Sequence, residues 1–136
     1  VGGMAATMWA LVRSGGGMAW DRAHPVPQLR GGHVLLRTRG AAINPVDYKA
    51  PKALLGPVVG FDVAGVVETV GEGSAWQRGD EVFGRASGSM AQYALTPSGH
   101  LARKPASLSW AEAASFGTAH LTGIQALRDH ARMSPG

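Results

Sequence analysis

The residues able to do chemistry concentrate in one stretch, Ile43 to Gly84, where a polar turn that can face a substrate runs into a strand that must form core. The turn reads Asn44-Pro45-Val46-Asp47-Tyr48-Lys49. Proline pushes Asn44 into an extended or turn conformation and then presets the first turn of a short helix, Pro45 to Lys49. The Asn44 side chain, short and bipolar, is thereby held at a strand end. There it either caps the helical turn through its carbonyl oxygen or contacts a ligand. Asp62 lies on a run that is almost continuously apolar from Val58 to Val70. Burying it is costly unless it is hydrogen-bonded or paired, so it is either an acceptor for nearby backbone N–H groups or part of a site.

Other chemistries are excluded by what is missing. The chain has no cysteine, which rules out disulfides, thiolate-ligated zinc, iron–sulfur clusters and a cysteine nucleophile. His24, His33, His100, His120 and His130 are dispersed, with no partners at ligand spacing. Gly71 and Gly73 have the spacing that opens a dinucleotide fingerprint, but Trp76 stands where the third glycine is needed and no helix pattern follows. The 13 Lys and Arg against 9 Asp and Glu give a net charge of +4, with the basic residues scattered singly. No basic cluster interleaved with aromatics marks a nucleic-acid surface, so no nucleic-acid partner is expected. A mildly basic surface leaves room for an anionic, phosphate-bearing ligand.

These residues need a scaffold, and 136 residues allow one domain. Residues 1–7 read as a flexible leader or a processing remnant. Met8 to Arg13 and Met18 to about Arg22 form strands around the Ser14-Gly15-Gly16-Gly17 turn. His33 to Arg39 alternates as a half-buried strand, with Val34 and Leu36 on one face. Val58 to Val70 reads as a strand whose glycines mark a bend or a close backbone approach. Glu81 to Gly84, Met90 to Leu95 and His100 to Arg103 are further strands between glycine-rich turns. After Pro105 the pattern becomes helical: Ser109-Trp110-Ala111-Glu112 has the form of a capping box, and Thr118 is placed to cap a second helix. The fold class expected is mainly β with C-terminal helices. No apolar run approaches the ~18 residues that a membrane span needs.

Several motifs then occur in order: Asn44-Pro45-Val46-Asp47-Tyr48-Lys49, Pro57 to Val67 with Gly60-Phe61-Asp62-Val63-Ala64-Gly65 at its centre, Arg78-Gly79-Asp80-Glu81-Val82-Phe83-Gly84, Ala91-Gln92-Tyr93-Ala94 and Leu121-Thr122-Gly123. Together they resemble the N-terminal GroES-like domain of medium-chain dehydrogenases and reductases, in particular the zinc-independent quinone oxidoreductase, or zeta-crystallin-like, branch. The similarity covers about Met8 to Gly136, which sets the domain at residues 8–136 and implies a partly open β-barrel. The family's NADPH-binding Rossmann domain is not within this chain. It, or a larger assembly, is an expected partner, together with a possible homodimer. No compartment is assigned beyond an intracellular one, cytoplasmic or organellar.

The resemblance also bears on the metal. In zinc alcohol dehydrogenases, which this domain resembles more distantly, a cysteine falls at about Asn44 and a histidine at about Phe61. Asn44 is a poor zinc ligand, Phe61 cannot ligate, and the cysteine-rich structural-zinc loop is missing. No zinc or other metal is expected. Without a Lewis acid, reduction relies on hydride from NADPH, positioned by binding, with hydrogen-bond donors on the developing anion. Quinones and α,β-unsaturated carbonyls suit this chemistry because hydride addition delocalises charge onto oxygen.

By resemblance, Asn44 sits near nicotinamide and substrate as an amide donor, and is both a catalytic and a cofactor-binding candidate. Tyr48 is the candidate acid, or else a tyrosine packed on the short helix. Lys49 stabilises anionic charge or meets a cofactor phosphate, or is simply solvated. Thr118 and Thr122 lie near the nicotinamide or its phosphates, or serve helix capping and packing.

One departure stands against the family pattern: the 14 residues between Asp47 and Asp62 make a shorter connection than usual, so the substrate side of the cleft is expected to be trimmed or remodelled. A competing reading is therefore a non-catalytic GroES-like module serving a structural or interaction role. A co-chaperone role rests on the fold alone, and residues 50–57 are too short and proline-rich for its mobile loop.

Overall fold

A computed structural model describes residues 6–51 and 54–134. Strands β1 (Thr7–Ser14) and β2 (Gly17–Pro25) form a hairpin closed by Gly15 and Gly16 at φ +55° and +93°. A two-residue hairpin turn matching the strands' twist demands positive φ at both positions, which glycine adopts without strain. Thr7, placed by sequence in the leader, pairs with Pro25 instead.

The second sheet contains β3 (His33–Ala42), β4 (Asp62–Val70), β5 (Glu81–Arg85), β6 (Tyr93–Pro97) and β7 (Leu101–Arg103). Its order is β6-β3-β4-β5-β7, with every neighbouring pair antiparallel. Isolated bridges, Ala10 to Ala91 and Val12 to Val58, tie the hairpin to the rest, and neither sheet closes on itself. The expected class, mainly β with C-terminal helices and a partly open barrel, is the one observed.

Several boundaries move for local reasons. The apolar run from Val58 becomes ladder only at Asp62, because Gly60 turns the backbone at φ +97° and frees Val58 to bridge Val12. Pairing of β6 begins at Tyr93 rather than Met90, and His100 ends a single 3₁₀ turn ahead of β7. Strand β3 runs past Arg39 to Ala42, delivering the chain to Asn44.

Strand β4 organises both cores through its alternation. Val63 and Val67 face Val34, Leu36, Val82 and Ala94 in the main core, whereas Ala64 faces Ala113 and Ala114 of the helix. Asp62 shares the helix-facing side with Ala64. Gly65 lets β3 and β4 approach: a Cβ there would lie 2.5 Å from the carbonyl oxygen of Arg37.

A short helix, α1 (Val46–Lys49), follows the Asn44-Pro45 turn. The C-terminal helix opens at α2 (Trp110–Ser115) with the expected capping box: Ser109 Oγ accepts from the Glu112 N–H, and Glu112 accepts from the Ser109 N–H. The bond from the Ser109 N–H foremost, with the Ser109 hydroxyl second, holds the Glu112 carboxyl below the ordinary glutamate range. The helix widens into a π-helical segment, Phe116–His120, before α3 (Leu121–Gln125) and a second such segment, Ala126–His130. Thr118 lies inside this rod and is not a cap. From Ala119 to Ser134 every residue is exposed.

Two outcomes follow for stability. Gly65→Ala must push Arg37 from its ladder position, and a destabilisation of about 1–3 kcal/mol is expected as a lower urea midpoint with unchanged m-value. Ser109→Ala is expected to lower the melting temperature by a few degrees at neutral pH. Because the Glu112 pKa is depressed in the fold, its contribution is present above the unfolded value and lost as pH falls through the folded one. The melting difference between wild type and E112Q should therefore narrow in acid. That between wild type and S109A changes less, because the Ser109 N–H still reaches the Glu112 carboxyl in the alanine variant.

Candidate functional site

The turn after β3 is built on carboxylates. Asn44 is 8% exposed and Asp47 is fully buried. The Asn44 N–H donates to Asp47 Oδ2 at 2.7 Å, and the Asp47 N–H returns to the Asn44 carbonyl at 2.9 Å. Thus the cap that the sequence offered to the Asn44 side chain is not formed; Pro45 occupies the cap position without a side-chain bond. Asp47 closes the turn instead, and its Oδ1 is buried with no partner among the described residues.

Freed from capping, the Asn44 side chain reaches β4. Its Nδ2 donates to Asp62 Oδ2 at 2.9 Å. The Thr118 N–H donates to the same oxygen at 2.9 Å, and the Thr118 hydroxyl donates to Asp62 Oδ1 at 2.9 Å. Of the two readings open for Asp62, acceptor or site member, the geometry supplies the first outright: a carboxylate 1% exposed, held by three donors. The Thr118 N–H makes this bond from within the widened, π-helical segment, and a side chain entering the ladder is a recognised cause of such distortion. Gly117 leaves room, since a Cβ on it would lie 2.4 Å from Asp62 Oδ1.

Tyr48 and Lys49 lie on the outer side of α1. Tyr48 is 60% exposed, and the Lys49 ammonium lies 5.9 Å from the centre of its ring. The Thr122 hydroxyl donates back to the Thr118 carbonyl at 2.6 Å, and both threonines border a cleft of about 800 Å³ between the helix and strands β5 and β7. Phe83, Phe116 and Leu121 give this cleft an apolar wall, and Asp62 contributes to its polar part. Asn44, Tyr48 and Lys49 are not among the cleft residues. The structure thus brings Asn44, Asp62 and Thr118 together and keeps Tyr48 with Lys49 as a separate exposed pair. The Phe61 ring packs beneath the Arg85 guanidinium at 5.2 Å.

Arg13 carries no role in the sequence reading, yet it fixes the turn from below. Its guanidinium donates to the carbonyls of Asp47 at 2.9 Å, Gly56 at 2.8 Å and Val58 at 3.0 Å, spanning the short connection that includes residues 52 and 53, which lie outside the described residues. The only sequence signal was a lone arginine ending the apolar run of β1. Gly117 likewise left one faint trace, a glycine inside a helical pattern.

Comparison with known proteins places this geometry. Residues 30–106, more than half of the chain, match the family described as the alcohol dehydrogenase GroES-like domain. A 2-methylene-furan-3-one reductase of Solanum lycopersicum is 37% identical over 120 residues, covering 75% of this chain and 31% of the relative. A quinone oxidoreductase of Lama guanicoe is 34% identical over 116 residues, covering 79% of this chain and 34% of the relative. A mycobacterial protein solved in complex with NADPH superposes with a TM-score of 0.82 at 26% identity, covering 96% of this chain and 42% of that one. The chain spans about a third of the length of the curated relatives it matches.

Asp62→Ala is expected to cost about 2–4 kcal/mol, since it orphans the Asn44 amide and the Thr118 N–H in a buried setting. Asp62→Asn should cost less, because one amide oxygen can accept from both while its nitrogen donates to the Thr118 hydroxyl. Urea titration of the two variants checks the order; equal losses would contradict it.

Proposed function

The chain belongs to the alcohol dehydrogenase GroES-like domain family of the medium-chain dehydrogenases and reductases, and on that premise we propose that it is the substrate-side domain of an NADPH-dependent oxidoreductase that reduces quinones or α,β-unsaturated carbonyls without zinc. The observation that carries this reading is the tertiary union of Asn44, Asp62 and Thr118 beside a cleft with an apolar wall. Relatives named for a methylene-furanone and for quinones point to the same substrate class.

The donor set suits an organic cofactor better than a metal. Asn44 and Phe61 offer no good zinc ligand, and among the described residues no group of three His, Cys, Asp or Glu side chains could hold a metal ion. An aromatic and aliphatic wall with a few hydroxyl and amide groups is the usual lining for a planar ring. Asn44 and Thr122 would hold the reacting end of NADPH, which supplies hydride when bound, while a nucleotide-binding domain outside this chain takes the rest. Exposed Phe116, Leu121, Ile124 and Leu127 on the C-terminal helix support packing against such a further domain. Thr118 has both donors committed to Asp62, so its part is to hold that carboxylate.

On the substrate, charge develops on the carbonyl oxygen as a β-carbon accepts hydride. The Tyr48 phenol donates a hydrogen bond or proton to that oxygen, and the adjacent Lys49 ammonium favours the anionic state.

The test is turnover by the full-length protein that carries this chain, with NADPH and a para-quinone, a methylene-furanone or a saturated ketone. Activity on the first two and little on the third is expected, unaffected by metal chelators. Tyr48→Phe is expected to lower kcat by about 10²-fold with NADPH affinity unchanged. Unchanged kcat removes Tyr48 from the reaction, chelator sensitivity removes zinc independence, and absence of NADPH binding leaves the non-catalytic module as the reading.

A further inference from the structure

The strand wall of the cleft carries a permanent cation, Arg85. It ends β5 directly across the ladder from Asp62, so the two side chains leave the sheet on the same face. An ion pair would be the ordinary outcome of that placement. None forms: both Asp62 oxygens are taken by Asn44 and Thr118, and the Arg85 guanidinium lies 5.2 Å from the centre of the Phe61 ring. Contact with a ring face orients a guanidinium and uses none of its N–H donors. Arg37, Arg78, Arg103 and Arg128 each meet a carboxylate. Among the described residues, the Arg85 guanidinium meets none and donates to no carbonyl.

The rest of the cleft does not answer this charge. Among the described residues Asp62 is the only acid lining it, and it is buried with its oxygens already bonded. His100 and His120 line it too, and the His120 Nδ1–H is spent on the Ser115 carbonyl. We propose that Arg85 determines specificity by binding a carboxylate on the substrate, so that the preferred substrates are enones or quinones bearing an acid group. The inference rests on the reading of this chain as the substrate-side half of a reductase, and it names the substrate class within that reading. A guanidinium fork matches a carboxylate through two parallel N–H bonds, and the apolar wall of Phe83, Phe116 and Leu121 suits an aromatic or aliphatic body. The cofactor's phosphates are the other anions that a guanidinium could meet. They belong with the nucleotide-binding domain, for which the apolar face of the C-terminal helix is the docking side, whereas Arg85 stands on the strand wall opposite that helix.

The experiment follows NADPH oxidation by the full-length protein with 3-benzoylacrylate, an aryl enone carrying a carboxylate, and with its methyl ester, the same enone without the charge. The ester is intrinsically the more electrophilic, so the comparison runs between proteins and not between substrates. The ratio of kcat/KM for the acid to that for the ester is expected to fall about tenfold in Arg85→Met, the worth of one charge-assisted hydrogen bond. Arg85→Lys keeps the charge without the fork and is expected to give an intermediate ratio. Arg85 is exposed, so its replacement leaves no cavity, and any loss of folded protein cancels in the ratio. The NADPH dissociation constant, measured without substrate, is expected to be the same in Arg85→Met as in wild type.

Reduction of both enones with the same ratio in R85M as in wild type overturns the inference while leaving the functional reading intact. An unchanged ratio together with weakened NADPH binding assigns Arg85 to a cofactor phosphate, and overturns its role toward the substrate. Failure of wild type to oxidise NADPH with the acid, the ester or a para-quinone overturns the functional reading, and the inference with it.

Discussion

The constraint on which this structure turns is that a buried carboxylate needs donors. Asp62 stands on the helix-facing side of the central strand, out of water, and the desolvation of its charge is offset only by hydrogen bonds from outside β4. Those bonds come from two places far apart in sequence, the turn after β3 and the π-helical segment after α2. A single side chain therefore sets where the C-terminal helix meets the sheet and how Asn44 is turned. Gly117 and the widened helix are consequences, because the carboxylate must reach a backbone N–H that a regular helix would keep for itself.

A second buried carboxylate, Asp47, works beside the first. It closes the Asn44-Pro45 turn from within, and Arg13 secures its carbonyl from the hairpin. The two acids divide the work: Asp47 fixes the backbone of Asn44 and Asp62 fixes its side chain. The neighbouring Tyr48 and Lys49 take no part in either network and stay exposed on α1.

Much of the fold was legible because its signals are local. The Ser14-Gly15-Gly16-Gly17 turn, the alternation of β3 and the Ser109 capping box depend on neighbours within a few residues, and each lies where the sequence places it. The misplaced boundaries fall where a tertiary partner decides. Val58 reads as ladder but is drawn off by Val12, and Thr118 reads as a cap but is claimed by Asp62. Local propensity was overruled at both positions by a contact more than forty residues away.

The sequence alone determined the class of this protein: a cysteine-free, mainly β chain whose ordered motifs identify its family. It also singled out Asn44 and Asp62, because an asparagine before proline and an acid in an apolar run are anomalies visible without coordinates. Only the tertiary structure decided what they do. Eighteen residues separate Asn44 from Asp62, and 56 separate Asp62 from Thr118. A hydrogen bond specifies a distance and a direction but leaves no periodic mark on the chain, so the partner of a buried acid is found only once the sheet and helix have brought the donors to it.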